Sequence, residues 1–339
     1  MFEPSDVSRR RFLAGLATFS ASQLLSAADS RAKPGRIDVH HHFFPPDYVS
    51  AITAAGAASS PAWSPARSLE EMDRSGIATS ILSLSPPGVW FPDVAKSRAI
   101  ARDANEYAAK MSADHPGRFR LFAALPLPDT EGSLREIEHS LDTLHASGIG
   151  LMTSYGDRWL GDAAFRPVWE ELNRRQAVVY THPTTPACCG NLNDEVPAVA
   201  IEWATDTTRT IASVVFSGVA ARYPGIRWIF SHGGGTMPFL LSRFIYQEKT
   251  MKDKATRIPN GLMHELQRFY YDTAQANHPG ALAALLKMVT PAQLLFGTDF
   301  PYRDGAEVGA GLAAHGFTDK ELAGIERDNA LHLMPALAG

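Results

Sequence analysis

The sequence predicts an α/β protein built as one TIM-like (β/α)8 barrel, and three observations support this fold class. The chain has 339 residues, a length that an α/β barrel can use as a single domain. From residue 36 onward, short apolar runs alternate with helical patterns, which is typical of repeated βα units and a parallel sheet. A doubly wound open sheet is the alternative, but no G-x-G-x-x-G motif follows the first predicted strand.

The alternation defines eight strands and the helices between them. Strands are predicted at 36–43, 78–84, 119–125, 148–154, 177–181, 226–231, 269–272 and 294–297. Helices are predicted at 93–114, 133–146, 165–175, 198–223 and 279–288. Longer excursions follow the first strand, at 44–71, and the fifth strand, at 184–196. Eight strands alternating with helices over about 300 residues are typical of a barrel of this type, so residues 36–335 are predicted to form the barrel domain.

Composition and charge exclude several classes of protein. The charged fraction is 20% and the net charge is −4, so nucleic acid is not an expected partner. No apolar run approaches about 20 residues, so we expect no membrane-spanning segment in the mature chain. The two cysteines, Cys188 and Cys189, are adjacent. Because neighbouring cysteines rarely bridge without strain, the sequence predicts no disulfide framework.

Residues 1–30 are predicted to be a targeting segment outside the barrel. Arg9, Arg10 and Arg11 precede a mildly apolar stretch that ends in small residues at 26–28. The segment resembles a bacterial twin-arginine export signal, and an ordinary amphipathic helix is the alternative. The expectation is a periplasmic or otherwise exported bacterial protein.

Polar residues cluster at the predicted carboxyl ends of strands, which meet at one face of a barrel. The first strand ends in His40-His41-His42, and the alternation of a strand places His40 and His42 on the same side, with His41 opposite. The later strands end in further polar side chains, at His182, His232, Asp272 and Asp299. A single strand-end histidine is usually structural, but an H-x-H pair together with His182 and Asp299 indicates a metal site. Three imidazoles and a carboxylate suit Zn²⁺, and Mn²⁺ or Fe²⁺ could use the same ligands.

These motifs together resemble the amidohydrolase superfamily, and more narrowly its aminocarboxymuconate-semialdehyde decarboxylase branch. The matching stretches are residues 37–46, 181–183, 231–235 and 297–301, and the resemblance extends over 36–335. It implies that His40, His42, His182 and Asp299 hold the metal and that His232 acts beside it as a general base or acid. Within the branch, the stretches at 83–86, 124–129, 165–172 and 182–186 are most similar to the 6-methylsalicylate decarboxylases.

Departures from the wider superfamily refine this interpretation. The fourth predicted strand carries no lysine, so the resemblance implies one metal rather than two. Ser68 occupies the position where the semialdehyde decarboxylases have a substrate-binding arginine, which argues against a muconate substrate. Arg243 matches a second family arginine that reaches in from a neighbouring subunit. Arg243 is therefore a candidate substrate-binding residue in a homodimer, with a solvated helix charge as the alternative. Asp272 could support a ligand imidazole or simply bond at the barrel rim.

Three functions remain open at the level of sequence. The preferred hypothesis is metal-dependent, cofactor-free decarboxylation of a small aromatic acid of the o-hydroxybenzoate type, in which His232 or Asp299 delivers a proton to the ring carbon. Hydrolysis of a lactone or related carbonyl compound could use the same ligands. A binding protein without catalysis is the third hypothesis. Aromatic side chains expected near the mouth of the barrel are Trp90, Phe91, Phe300 and Tyr302.

Overall fold

The computed structural model describes residues 35–56, 60–190 and 195–338, and these residues form the predicted barrel. The sheet has eight parallel strands in the order β1 to β8. Their bounds are β1 Arg36–His42, β2 Ile77–Ser83, β3 Phe119–Ala124, β4 Gly148–Met152, β5 Val178–His182, β6 Arg227–Phe230, β7 Tyr270–Asp272 and β8 Leu294–Leu295. The segment after β8 returns to β1, because the Val39 amide donates to the Phe296 carbonyl (3.0 Å) and the Asp299 amide to that of His40 (2.8 Å). All eight predicted strands are confirmed.

Helices cover the connections between the strands. In chain order they are α1 Pro46–Ala54, α2 Pro65–Arg74, α3 Val94–Asp114, α4 Thr130–Glu138, α5 Arg166–Arg174, α6 Ala198–Phe216, α7 Val219–Arg222, α8 Met237–Thr250, α9 Lys254–Arg257, α10 Leu262–Arg268, α11 Pro279–Leu285, α12 Gly305–Ala314, α13 Asp319–Ala323 and α14 Asn329–Leu333. Short π-helical segments follow α4 at His139–Thr143 and α13 at Gly324–Asp328. The helix predicted at 198–223 is interrupted because Gly218 adopts a left-handed backbone (φ 84°), which separates α6 from α7.

Two further details correct the sequence-based prediction. Ser154 does not belong to β4 but to a small antiparallel hairpin, in which Ser154–Tyr155 pairs with Arg158–Trp159. The buried carboxylate of Asp206 on α6 fixes this hairpin, accepting a hydrogen bond from Trp159 Nε1 (2.7 Å). The structure also pairs Cys188 with Cys189 in a disulfide, contrary to the expectation that neighbouring cysteines stay unpaired.

The hydrophobic core has two layers. The larger cluster packs strands against the surrounding helices. The smaller cluster joins residues from six of the eight strands, among them Val39, Phe122 and Tyr180, with Leu333 and Met334 at the C-terminal end of the described chain. Side chains from so many strands can meet only inside the ring. The barrel is therefore a packed core whose polar residues collect at the carboxyl ends of the strands.

Two further sequence predictions were that no segment spans a membrane and that residues 1–30 form a leader. Among the described residues, no helix combines the length and the apolarity needed to cross a membrane. The predicted leader at 1–30 lies outside the described residues.

Candidate metal centre

The four predicted metal ligands come together at the carboxyl ends of the strands. His40 and His42 end β1, His182 ends β5, and Asp299 follows β8. One donor atom from each lies within 4.8 Å of the others, and all four side chains are buried. Asp299 Oδ1 lies 3.2 Å from His40 Nε2 and 3.1 Å from His42 Nε2. This is a compact set of three imidazole nitrogens and one carboxylate oxygen, which is a suitable donor set for one divalent metal.

Hydrogen bonds at the opposite ring nitrogens orient the three imidazoles. His40 Nδ1 lies 2.8 Å from Asp272 Oδ2, and His42 Nδ1 lies 3.1 Å from the Ser83 carbonyl oxygen. His182 Nδ1 lies 2.9 Å from the carbonyl oxygen of Pro183. Each acceptor fixes the proton on Nδ1 and leaves the lone pair of Nε2 facing the centre. His182 Nε2 is buried and has no hydrogen-bond partner among the described residues, as expected for an atom that binds a metal.

The electrostatics of the centre divide the histidines into two groups. Burial lowers the pKa of His40, but the carboxylates of Asp272 and Asp299 outweigh burial and raise it to about 10. Burial lowers the pKa of His42, and it lowers that of His182 still further below the ordinary value. Burial opposes ionisation of Asp299, yet His40 and the other imidazoles hold the pKa of Asp299 well below its usual range. Asp299 is therefore a carboxylate at neutral pH, which is the form that binds metals.

His232 lies beside this centre at the mouth of the barrel. Its Nε2 is 3.5 Å from Asp299 Oδ2, and its ring centroid is 4.9 Å from that of His40. Its backbone amide donates to Asp272 Oδ1 (2.9 Å). The His232 side chain is 11% exposed, whereas those of His40 and His42 are fully buried. His232 is thus next to the cluster of His40, His42, His182 and Asp299, and unlike those four side chains it is partly open to solvent.

Gln275 is a site residue that the sequence analysis missed. It follows β7 and donates from Nε2 to Asp299 Oδ2 (2.5 Å). Gln275, His232 and Asp299 all have positive φ angles, of 52°, 54° and 68°. Such backbone conformations in residues other than glycine are typical of functional sites. Only the position of Gln275 shortly after a strand end could have indicated it, because a neutral amide gives no charge or spacing signal.

The aromatic residues expected at the mouth separate into two groups. Tyr302 lies close to the centre, with its ring 5.8 Å from that of His42 and its hydroxyl 2.9 Å from Ser85 Oγ. Phe300 instead stacks on His41, which faces away from the ligands as predicted. Phe91 is buried and Trp90 is about half exposed. Among the described residues, the ring contacts of the proposed ligand imidazoles are made with other side chains. Trp203, which was not predicted, places its ring 5.6 Å from that of His182.

The candidate arginines lie away from the cluster within this chain. Ser68 is buried and lies 3.0 Å from His41 Nε2, so it has a structural position. Arg67, the arginine that precedes Ser68 in the sequence, donates to the Ala62 carbonyl. Arg243 lies on the exposed side of α8 and makes no hydrogen bond or ion pair to the ligands among the described residues. Within the described chain, Arg243 therefore has no contact that supports the predicted substrate-binding role.

Comparison with known proteins defines the family. The amidohydrolase family profile matches residues 37–335, so the chain belongs to this family. A 6-methylsalicylic acid decarboxylase from Penicillium expansum is 38% identical over 274 residues, which cover 78% of this chain and 85% of that protein. A 6-methylsalicylic acid decarboxylase from Aspergillus aculeatus is 36% identical over 321 residues, or 89% of this chain and 96% of that protein.

Solved structures show the same fold. An amidohydrolase II is 27% identical, with a TM-score of 0.83 over 88% of this chain and 99% of its own. A dihydroxybenzoic acid decarboxylase from Polaromonas, solved with bound manganese and the inhibitor 2-nitroresorcinol, is 24% identical. Its TM-score is 0.79, over 89% of this chain and 97% of its own.

The relatives also correct one prediction from the sequence. The expectation of an exported bacterial protein is wrong, because the relatives that match at 36–38% identity come from the fungi Penicillium and Aspergillus. The arginine pattern at the start of the chain therefore does not locate the protein in a bacterial periplasm.

Proposed function

We propose that this chain is a metal-dependent, cofactor-free carboxy-lyase that removes CO₂ from an aromatic acid of the o-hydroxybenzoate type, such as 6-methylsalicylate. The observation that carries the proposal is the buried convergence of His40, His42, His182 and Asp299 beside the outward-facing His232. The relatives named 6-methylsalicylic acid decarboxylase support the substrate class. Residues 36–335 would form the catalytic domain.

The donor set of this chain fits a single divalent metal. His182 Nε2 is buried without a partner among the described residues, and the other donor atoms face the same point. When bound, the metal would act as a Lewis acid and offset negative charge on the carboxylate and phenol oxygens of the substrate. We propose zinc, since three imidazoles and one carboxylate are typical zinc ligands. Manganese is the alternative, supported by the manganese-bound decarboxylase of the same fold.

The reaction requires a proton at the ring carbon that carries the carboxylate. Once that carbon is protonated, its bond to the carboxylate breaks, CO₂ leaves, and the bonding electrons restore the aromatic ring. We assign the proton to the pair formed by His232 and Asp299, whose Nε2 and Oδ2 atoms lie 3.5 Å apart. Asp299 Oδ1 faces His40 and His42, while Oδ2 faces His232 and Gln275. Oδ1 of Asp299 is thus directed at the proposed metal ligands, and Oδ2 is directed at the proposed proton donor.

Aromatic side chains would hold the flat substrate at the mouth. Tyr302 lies beside His42 and Trp203 lies beside His182, so each ring is next to one of the proposed ligand imidazoles. Tyr302 is 43% exposed, which leaves part of its surface open to a bound ring. An aromatic acid seated there gains apolar contact and excludes water from the carbon to be protonated.

We further propose that the active unit is a homodimer to which Arg243 contributes. On α8, Arg243 shares its exposed face with Phe239 and Tyr246, which are 85% and 68% exposed. Large apolar side chains this exposed on one helix are typical of an interface. A second subunit covering this face would bring a cation to the acid substrate. Light scattering should give twice the chain mass, and Phe239→Asp should give a monomer.

A product assay tests the proposed activity. Protein loaded with zinc or manganese is incubated with 6-methylsalicylate and a panel of hydroxybenzoates, and both CO₂ and the decarboxylated phenol are quantified. We expect equal amounts of the two products, and their loss in His182→Ala. No CO₂ from any acid, with metal bound in a one-to-one ratio, would contradict the proposal and favour lactone hydrolysis, which a parallel lactone panel would detect.

A further inference from the structure

A small cavity open to solvent lies next to the proposed metal centre. Its volume is about 170 Å³, which is large enough to admit the polar group of an aromatic acid. Its lining is almost entirely polar and consists of Gln275, Asn277, Arg303, Glu307 and Val308. No part of the mechanism described above uses this cavity.

Gln275 connects the cavity to the centre. Its amide nitrogen donates to Asp299 Oδ2 (2.5 Å), and its amide oxygen accepts a hydrogen bond from Arg303 Nη2 (3.4 Å). Arg303 is therefore separated from a proposed metal ligand by a single side-chain amide. Because Gln275 bonds to Arg303 through one nitrogen only, the other guanidinium donors remain available to a ligand.

In the part of the chain that the structure describes, the charge of Arg303 is not paired with a carboxylate. Within the described ranges no carboxylate forms an ion pair with Arg303, although Glu307 lines the same cavity. The adjacent carboxylate of Asp304 pairs instead with Arg74 (2.9 Å). Most other arginines of the structure are paired, for example Arg98 with Asp129 and Arg175 with Asp142. An unpaired guanidinium beside the active centre is suited to bind a carboxylate.

We propose that Arg303 recognises a carboxylate oxygen of the acid substrate and that Gln275 holds Arg303 toward the centre. This inference rests on the proposed function, since it takes an aromatic acid as the ligand. It adds a positive charge from the segment after β8 of the same chain to the one that we propose for Arg243 of a second subunit. Arg303 is thus a specificity-determining residue that favours acids over the neutral phenols that remain after CO₂ has left.

Glu307 makes the proposal more specific. Its carboxylate lines the same cavity as Arg303, so it repels an anion that Arg303 attracts. Removing the charge of Arg303 should therefore lower the affinity for an acid, and removing the charge of Glu307 should raise it. A purely structural role of the two residues would not produce this opposition.

The experiment compares two probes by calorimetry on metal-loaded protein. Salicylate carries the carboxylate, whereas catechol keeps two adjacent ring oxygens but has no carboxylate. We expect Arg303→Gln to weaken salicylate binding about tenfold, the scale of one charge-assisted hydrogen bond at a solvent-open site, and to leave catechol binding within about twofold. Glu307→Gln should strengthen salicylate binding. Arg222→Gln, which removes an exposed arginine far along the chain on α7, is the charge-matched control.

The outcomes separate this inference from the proposed function. Equal weakening of salicylate and catechol in Arg303→Gln, or no weakening of either, would overturn the role of Arg303 even if the wild-type protein releases CO₂. Selective weakening of salicylate would support it even if no hydroxybenzoate is decarboxylated. Arg303→Lys keeps the charge and should recover part of the salicylate affinity, which confirms that the loss in Arg303→Gln does not come from misfolding.

Discussion

Asp272 serves two residues that have different tasks in the proposed reaction. Its Oδ2 accepts from His40 Nδ1 (2.8 Å), and its Oδ1 accepts from the backbone amide of His232 (2.9 Å). One buried carboxylate thus orients a proposed metal ligand and the turn that carries the proposed proton donor. The sequence analysis left open whether Asp272 supports a ligand or bonds at the rim, and in the structure Asp272 contacts His40, one of the proposed ligands.

We expect Asp272→Asn to weaken metal binding about 10- to 100-fold, because the amide no longer fixes the proton on His40 Nδ1 as firmly. Metal titration with a competing chelator measures the change. Asp142→Asn, which removes a carboxylate that pairs with Arg175 at the surface, is the control and should bind metal as the wild type does. Unchanged affinity in Asp272→Asn would contradict the supporting role.

His232→Gln should reduce kcat about 100-fold or more while metal content stays at the wild-type level. The reason is that His232 lies beside Asp299 Oδ2, whereas the ligand nitrogens meet at Oδ1. Steady-state kinetics together with metal analysis distinguish the two effects. A loss of metal in parallel with the loss of rate would instead make His232 a ligand.

The raised pKa of His40 predicts that protons compete with the metal. Without metal, His40 has a pKa of about 10 and is protonated at neutral pH. A ligand imidazole must be free of this proton at Nε2, so metal binding displaces it. Apparent metal affinity should therefore rise with pH between about pH 6 and pH 9. Calorimetry in two buffers of different ionisation enthalpy should show about one proton released per metal near neutral pH, and a pH-independent affinity would refute the assignment.

At the scale of elements, the turn after β6 determines where His232 points. The turn spans His232–Gly234, and Gly235 then continues with a left-handed φ of 64°. A Cβ atom at Gly235 would collide with the backbone carbonyl of Ala204 on α6. The close packing of this turn on α6 therefore requires glycine, and it holds His232 beside the ligands that β1 and β5 supply.

Gly235→Ala should destabilise the protein by more than about 2 kcal/mol, since it adds a backbone collision to an unfavourable φ. Gly316→Ala is the matched control, because Gly316 also has a left-handed φ (90°) but no atom lies within 4 Å of an added Cβ. Its cost should stay near the 1–2 kcal/mol of the φ alone. Denaturant unfolding of both variants measures the difference, and equal losses would show that packing on α6 is not required.

At the scale of the whole molecule, the barrel brings together residues that are far apart in the sequence, such as His40 and Asp299. This could be predicted because apolar runs mark the strands and because parallel strands end at one face. Gln275 and Trp203 could not be predicted, since neither carries a charge nor a ligand-type side chain. The interruption at Gly218 depends on a backbone conformation that periodicity does not reveal. Arg243 could be matched to a family arginine, but its proposed contact with the substrate needs a second subunit.

The most direct test of the central claim follows the carboxyl carbon and the incoming proton together. Metal-loaded protein is incubated in D₂O with 6-methylsalicylate labelled with ¹³C at the carboxyl group, and the products are followed by NMR. We predict labelled CO₂, which hydrates to bicarbonate, and an equal amount of phenol with one deuterium at the carbon that carried the carboxyl group. If the label stays on the ring while the metal site is filled, and likewise with other o-hydroxybenzoates, the chain is not a decarboxylase of this class.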